Sequence, residues 1–201
     1  RLWYIRAKQV IISSGSIERP LVFGNNDVPG VMLSSAAKEY LKVYGVLVGK
    51  KPIIFTNNDS GYETAIEFKK NAVDPIVLDT RKDTNSEIVK EAKELNIHIK
   101  FSHVVVAAKG YKKVNSADIA KISDDKKVIS NIENIKCDCI CVSGFWTPTI
   151  HLASQSGNKT KFKEDIDAFV PGTSKQNETT LGAANGSYTL EETLKNSFET
   201  A

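Results

Sequence analysis

An α/β fold built on a parallel sheet is predicted by three observations. Short apolar runs alternate with amphipathic helical patterns between residues 51 and 101, a series of strand patterns without helices follows, and two distant apolar runs each break on Ser-Gly, at Ser14-Gly15 and Ser143-Gly144. With 201 residues, 41% of them hydrophobic, the chain has the material for a buried core. Its 27 basic and 24 acidic side chains leave a net charge of +3, and the longest basic clusters are pairs such as Lys112-Lys113 and Lys126-Lys127. That balance gives no electrostatic footprint for nucleic acid. No stretch reaches the roughly 18 to 20 uncharged residues of a membrane span, and no charged-then-apolar leader is present. The expectation is a cytoplasmic protein that engages neither nucleic acid nor membrane.

Residues 2–12 read as one long strand or a strand pair, because Leu2, Tyr4 and Arg6 alternate with Trp3, Ile5 and Ala7. Arg1 already lies inside that alternation, so the chain is expected to be a piece of a longer polypeptide. Residues 13–30, rich in Gly, Pro, Asn and Asp, form an irregular connection. A helix follows, capped by Ser34 or Ser35, with Ala37, Tyr40, Leu41 and Tyr44 on one face and Gly45 as its stop. Residues 52–56 form a buried strand, 57–60 a loop, 61–71 a helix and 76–79 a second strand. This βαβ unit implies parallel pairing through a right-handed crossover. A helix capped at Asn85 or Ser86 and carrying Ile88, Val89, Ala92 and Leu95 leads to a strand at 97–101, so the unit repeats as in a Rossmann-like domain. Residues 103–108, 111–119, 127–132 and 137–142 then read as strands, with Lys109-Gly110 as a hairpin turn. An antiparallel β-meander appended to a three-layer α/β core accounts for them. A short helix carrying Ile150 and Leu152, the run Phe169-Val170-Pro171-Gly172, a strand at 179–181 and a final helix from Thr189 complete the pattern.

The side chains that carry chemistry are few. Cys137, Cys139 and Cys141 are spaced two apart and share one face of a strand. Neighbours at that spacing sit too far apart for an ordinary disulfide, there is no Cys-x-x-Cys, and only His151 lies near enough to join a zinc site. Buried packing is the expected role, with no metal. His98, His103 and His151 have no nucleophile or carboxylate at useful spacing, so no catalytic residue is assigned. The βαβ unit invites a search for Gly-x-Gly-x-x-Gly, whose positions fall here on Thr56, Asn58 and Gly61. Only the third glycine survives, and its task is close packing of helix on strand. Side chains at Thr56 and Asn58 crowd the place of a phosphate, although Asp79 stands where a ribose-binding carboxylate is expected. The run Gly182-Ala183-Ala184-Asn185-Gly186, between a strand and the final helix, either permits close approach of a ligand or simply turns the chain.

Five segments in this order resemble the alpha-subunit family of heterotetrameric sarcosine oxidases, nearly end to end. They are Ser14-Gly15-Ser16-Ile17-Glu18-Arg19-Pro20, Asn25-Asn26-Asp27-Val28-Pro29-Gly30-Val31-Met32, Phe55-Thr56-Asn57-Asn58-Asp59, Ser143-Gly144-Phe145-Trp146-Thr147-Pro148 and the glycine-bounded run at 182–186. In the wider pyridine nucleotide-disulfide oxidoreductase superfamily, a dinucleotide domain is interrupted by a second, similar one. The resemblance therefore implies that residues 1–44 and 143–201 belong to a partial outer dinucleotide-binding domain. Residues 45–142 would be an inserted Rossmann-like domain with a degenerate nucleotide site. It also implies NAD in the outer domain, whose phosphate-binding glycine loop lies upstream of Arg1. Gly15 and Ser16 would face that dinucleotide, with Gly182, Ala183 and Asn185 at the last helix. Flavin-binding members place an aspartate where Ala183 stands, so flavin is expected in a partner subunit and not on this chain. The implied reaction oxidises sarcosine to glycine with oxygen as acceptor and passes the one-carbon unit to tetrahydrofolate, which binds outside this chain. Other sarcosine oxidase subunits are the implied partners, and this chain alone is expected to be inactive. A proline- or opine-type dehydrogenase with the same subunit plan, and a non-catalytic docking module, are the alternatives.

Overall fold

The computed structural model describes residues 1–200. In chain order its elements are β1 (Val10–Ile12), β2 (Ser16–Glu18), β3 (Val31–Leu33), α1 (Ser34–Tyr44), β4 (Pro52–Thr56), α2 (Ser60–Lys70), β5 (Ile76–Asp79), α3 (Glu87–Glu94) and β6 (His98–Phe101). There follow β7 (His103–Gly110), β8 (Val114–Lys121), β9 (Glu133–Lys136), β10 (Cys139–Ser143), β11 (Trp146–Pro148), α4 (His151–Gln155), β12 (Thr160–Lys163), β13 (Ala168–Pro171), β14 (Glu178–Thr180) and α5 (Leu190–Thr200). The chain forms two compact units. Glu18–Phe145 makes the larger, while Arg1–Ile17 joins the chain from Trp146 onward to make the smaller.

The larger unit is a three-layer sandwich around a five-stranded sheet in the order β3-β10-β4-β5-β6, with every pair parallel. Both faces are covered, which is why β4 and β10 are buried at every position. The two-residue period of a strand sorts side chains between the layers. Ile54, Val77, Cys139 and Cys141 pack with Ala37 of α1, Tyr62 and Phe68 of α2, and Val89 and Ala92 of α3. Ile53, Phe55, Leu78, Ile140 and Val142 point the other way, onto Val105, Ala117 and Ile119 of an antiparallel β7-β8-β9 meander.

The smaller unit contains β1 paired in parallel with β14, β2 paired with β11, and a β12-β13 hairpin that sets Phe162 opposite Phe169, their rings edge to face at 5.2 Å. Residues 182–185 form a single 3₁₀ turn, and α5 begins one residue after the predicted start.

Several expectations are corrected. Residues 1–9 form no strand, and Leu2, Trp3, Tyr4 and Ile5 are exposed: their alternation has no sheet to face. Residues 137–142 do not extend the meander. β10 is instead the second strand of the parallel sheet, inserted between β3 and β4. The third meander strand is β9, whereas Val128, Ile129 and Ile132 stand exposed around an isolated Ile122–Val128 bridge. Gly110 ends β7, so residues 111–113 make the turn. Only Cys139 and Cys141 share a face, because the period breaks before β10 and Cys137 joins the meander side. The cap of α1 comes from neither predicted serine. The buried Glu18 carboxylate instead accepts hydrogen bonds from Ser35 N at 2.8 Å and Ser35 Oγ at 2.6 Å. Residues 18–44 pack with the parallel sheet, through β3 on β10 and α1 against α2, so the expected boundary after residue 44 falls inside the larger unit.

Candidate functional site

Two places deserve the term by position, since ligands of parallel α/β sheets sit at the carboxyl ends of the strands. The first is the end of β4, β5 and β10 in the larger unit. Thr56 closes β4, and its hydroxyl donates to Asn58 O at 2.9 Å and accepts from Asn58 N at 3.1 Å, tightening the loop. Asn58, buried, turns its amide across the sheet end and donates to Ser143 O at 3.1 Å and Ser143 Oγ at 3.3 Å. Its carbonyl oxygen accepts from Ser60 N and Ser60 Oγ at the start of α2. A Cβ on Gly61 would lie 2.7 Å from Thr56 Cβ and Oγ1, so close helix-on-strand packing is what that glycine supplies. The amide of Asn58 occupies the space where glycine would admit a pyrophosphate.

Asp79, fully buried at the end of β5, is committed as well. It accepts from Tyr62 Oη at 2.7 Å, from Arg81 N at 2.9 Å, and from the Arg81 guanidinium through Nε and Nη2, while Arg81 Nη1 reaches Asp59 at 2.7 Å. Burial and the neighbouring Asp79 carboxylate push the Tyr62 phenol well above its ordinary value. Burial works against the Arg81 charge, but its hydrogen bonds to Asp79 and Asp59 outweigh that and hold it cationic. The site is thus a closed network of protein groups. Its residues do not fit a dinucleotide: the phosphate space and the ribose carboxylate are both taken.

The second place is the carboxyl end of β1 and β14 in the smaller unit. Ile12 lies beside Thr180, and Leu181 N donates to Ile12 O at 2.9 Å. The segment through Gly15 and Ser16 and the turn holding Gly182, Ala183 and Asn185 therefore leave two adjacent parallel strands at the same end. Gly15 has φ +73° and Gly182 φ +67°, conformations that L side chains rarely adopt. A Cβ on Gly15 would meet nothing within 4 Å, and one on Gly182 only Thr193 Cγ2 at 3.5 Å, so the space beside both is open. Ser14 Oγ donates to Thr149 O at 2.6 Å and Thr149 N to Gly15 O at 2.9 Å, which fixes the loop.

Sequence reasoning missed Arg81, Tyr62 and Ser143 as members of the first network. The three come from different elements, and only the Asp79-x-Arg81 spacing was a local hint. Among the described residues no cluster of metal-ligating side chains occurs. All three cysteines are free and buried, Cys139 Sγ and Cys141 Sγ lying 3.6 Å apart. Burial raises the Cys137 thiol from 9.0 to about 12, and the contact with Cys139 followed by burial raises Cys141. Neither is poised as a nucleophile. No described helix is long and apolar enough to cross a membrane.

No protein-family model matches the chain. By sequence it is 33% identical over 188 residues to the sarcosine oxidase subunit alpha of Corynebacterium sp. (strain P-1), and 36% identical over 186 residues to that of Rhizobium meliloti (strain 1021). Both matches take in 92% of this chain but only 19% and 18% of the relatives, so the chain spans about a fifth of the length of the curated proteins it matches. By fold it resembles T. acidophilum thioredoxin reductase, with a TM-score of 0.72 at 17% identity over 93% of this chain and 61% of that one. It also resembles L-proline dehydrogenase from P. horikoshii, with a TM-score of 0.57 at 21% identity over 89% and 30% of the two chains. Identity above 30% sustained along 92% of the chain shows that it belongs to the sarcosine oxidase alpha-subunit family.

Proposed function

We propose that this chain is a cofactor-binding portion of the alpha subunit of a sarcosine oxidase, and that its dinucleotide belongs to the smaller unit. The complex would oxidise sarcosine to glycine with oxygen as acceptor and hand the one-carbon unit to tetrahydrofolate held outside these residues. Flavins would reside in a partner subunit, other subunits of the heterotetramer would complete the active site, and this chain alone would be inactive. The observation that carries the reading is the pair of open, positive-φ glycines, Gly15 and Gly182, at the shared end of β1 and β14. Gly15, Ser16, Gly182, Ala183 and Asn185 would line the dinucleotide there. The absence of an aspartate at Ala183 favours NAD over flavin. The three free thiols suit a reducing, cytoplasmic setting.

The test is NAD affinity of the whole oxidase. Gly182→Val, which forbids the left-handed turn, is expected to weaken NAD binding at least tenfold, whereas Asn58→Ser in the larger unit leaves it unchanged. The reverse pattern would move the nucleotide to the larger unit. A second reading, that the larger unit is a docking module without a ligand of its own, is favoured by the Asn58–Ser143 network that fills its nucleotide position. A proline- or opine-type dehydrogenase on the same plan would leave both units as described and change only the amine consumed, so turnover of sarcosine against proline by the whole complex separates them.

A further inference from the structure

The larger unit presents an apolar helix face that neither of its core clusters uses. At about 100° per residue, Ala36, Glu39, Tyr40, Val43 and Tyr44 occupy one side of α1 roughly 140° wide. Ala37 and Leu41 occupy another side and pack into the core. A cleft of about 310 Å³ opens on the exposed face, lined by Ala36, Glu39, Tyr40 and Tyr44. The tyrosine rings lie 6.1 Å apart, tilted by 49°, and are 47% and 65% exposed as residues. Val43 on the same side of the helix, and Val46 and Leu47 just past its end, are exposed as well.

The charge of this cleft is negative and uncommitted. Among the described residues the Glu39 carboxylate has no hydrogen-bond or ion-pair partner. Lys38 is engaged by Glu63, and Lys42 projects about 60° beyond Glu39, away from the rings. Tyr44 closes the last turn of α1, where the helix carbonyls add partial negative charge. Two aromatic faces beside a free carboxylate form the complement of a flat cation: the faces attract positive charge, and the carboxylate pairs with it. A guanidinium suits this better than an ammonium, being planar and less strongly hydrated. We propose that the cleft is a docking site for a partner protein, which lays an arginine side chain against Tyr40 and Tyr44 and pairs it with Glu39. The site is independent of where a dinucleotide binds.

The test titrates the isotope-labelled full chain with the peptide acetyl-Leu-Arg-Leu-amide and with its citrulline counterpart, which keeps the shape and loses the charge. The expected result is saturable shifts of backbone amides confined to residues 36–47, with the arginine peptide binding about three- to tenfold more tightly than the citrulline peptide. Glu39→Gln should remove most of that preference and its salt dependence. Tyr44→Leu, which keeps the site apolar, should weaken the arginine peptide about two- to fivefold. Both positions are exposed, and the amide spectrum itself reports whether each variant is folded. Equal binding of the two peptides would mean an apolar groove without cation recognition. Shifts scattered over other surfaces, or no saturable shift at millimolar peptide, would likewise overturn the proposal.

Discussion

Arg81 holds the most consequential charge in the larger unit. It meets a carboxylate with no exposure at all, Asp79, and a second, Asp59, at the rim. Removing one member of such a pair strands the other in the interior, which costs about 3 kcal/mol or more. Arg81→Leu is therefore expected to lower the stability of the chain by that order in urea unfolding, and Asp79→Asn on top of it should restore part of the loss. Gly61 tests close packing. Gly61→Ala drives a methyl to 2.7 Å from Thr56 and should destabilise by about 1 to 3 kcal/mol. The same substitution in a Thr56→Gly background should cost measurably less. Cys137 gives a pH dependence with a definite sign. Its folded value, about 12, stands above the ordinary 9.0, so between these the unfolded chain ionises while the native thiol stays protonated. The stabilisation is complete below pH 9 and is lost as pH rises toward 12. Unfolding midpoints measured from pH 8 upward should fall, and Cys137→Ala should flatten the curve in part. The buried Tyr62 phenol, also raised, sustains the remaining slope.

At the scale of elements, α1 shows how a helix can be legible while its cap is not. Its apolar spacing and the left-handed Gly45, whose N–H donates to Leu41 O, are local facts, and the helix ends where they predict. Its N-terminus is closed by Glu18, seventeen residues upstream, and no local rule reaches that far. Glu18→Gln keeps the shape but removes the negative charge from the helix start, and a loss of about 1 kcal/mol is expected in thermal unfolding. β9 was hidden for a related reason. Of its four residues only Ile135 packs against the meander core, so it lacks the apolar run that the exposed residues 128–132 display with no more than an isolated bridge at Val128. β10 reads correctly as a strand, but its neighbours are not sequential. A parallel strand between β3 and β4 is placed by burial on both faces, and an apolar run looks the same in a meander.

At the scale of the whole molecule the chain leaves one unit and returns to it. The two crossings run side by side within the larger unit. Arg19 N donates to Phe145 O at 2.7 Å and Gly144 N to Arg19 O at 2.7 Å. A Cβ on Gly144 would meet the Arg19 and Pro20 carbonyls at 2.8 and 2.9 Å. The second Ser-Gly is thus a site of backbone contact, whereas Gly15 serves by its conformation. Because residues 18–145 hold both core clusters of the larger unit and their ends are hydrogen-bonded, that segment expressed alone is expected to unfold in a single cooperative transition. Calorimetry would check it, and a broad, non-cooperative melt would show that the unit needs the rest of the chain.

By itself the sequence determined the α/β class, the βαβ repeats, the loss of two phosphate-site glycines and the family, because periodicity, turn chemistry and ordered motifs are local properties. Only the tertiary structure decided what those losses left behind. Asn58 reaches Ser143 across 85 residues, Arg81 closes over Asp79 and Asp59, and the loops holding Gly15 and Gly182 leave the same end of a parallel strand pair. Such contacts arise from the order in which strands assemble. That order is set by which faces can be buried together, and no window of sequence contains it.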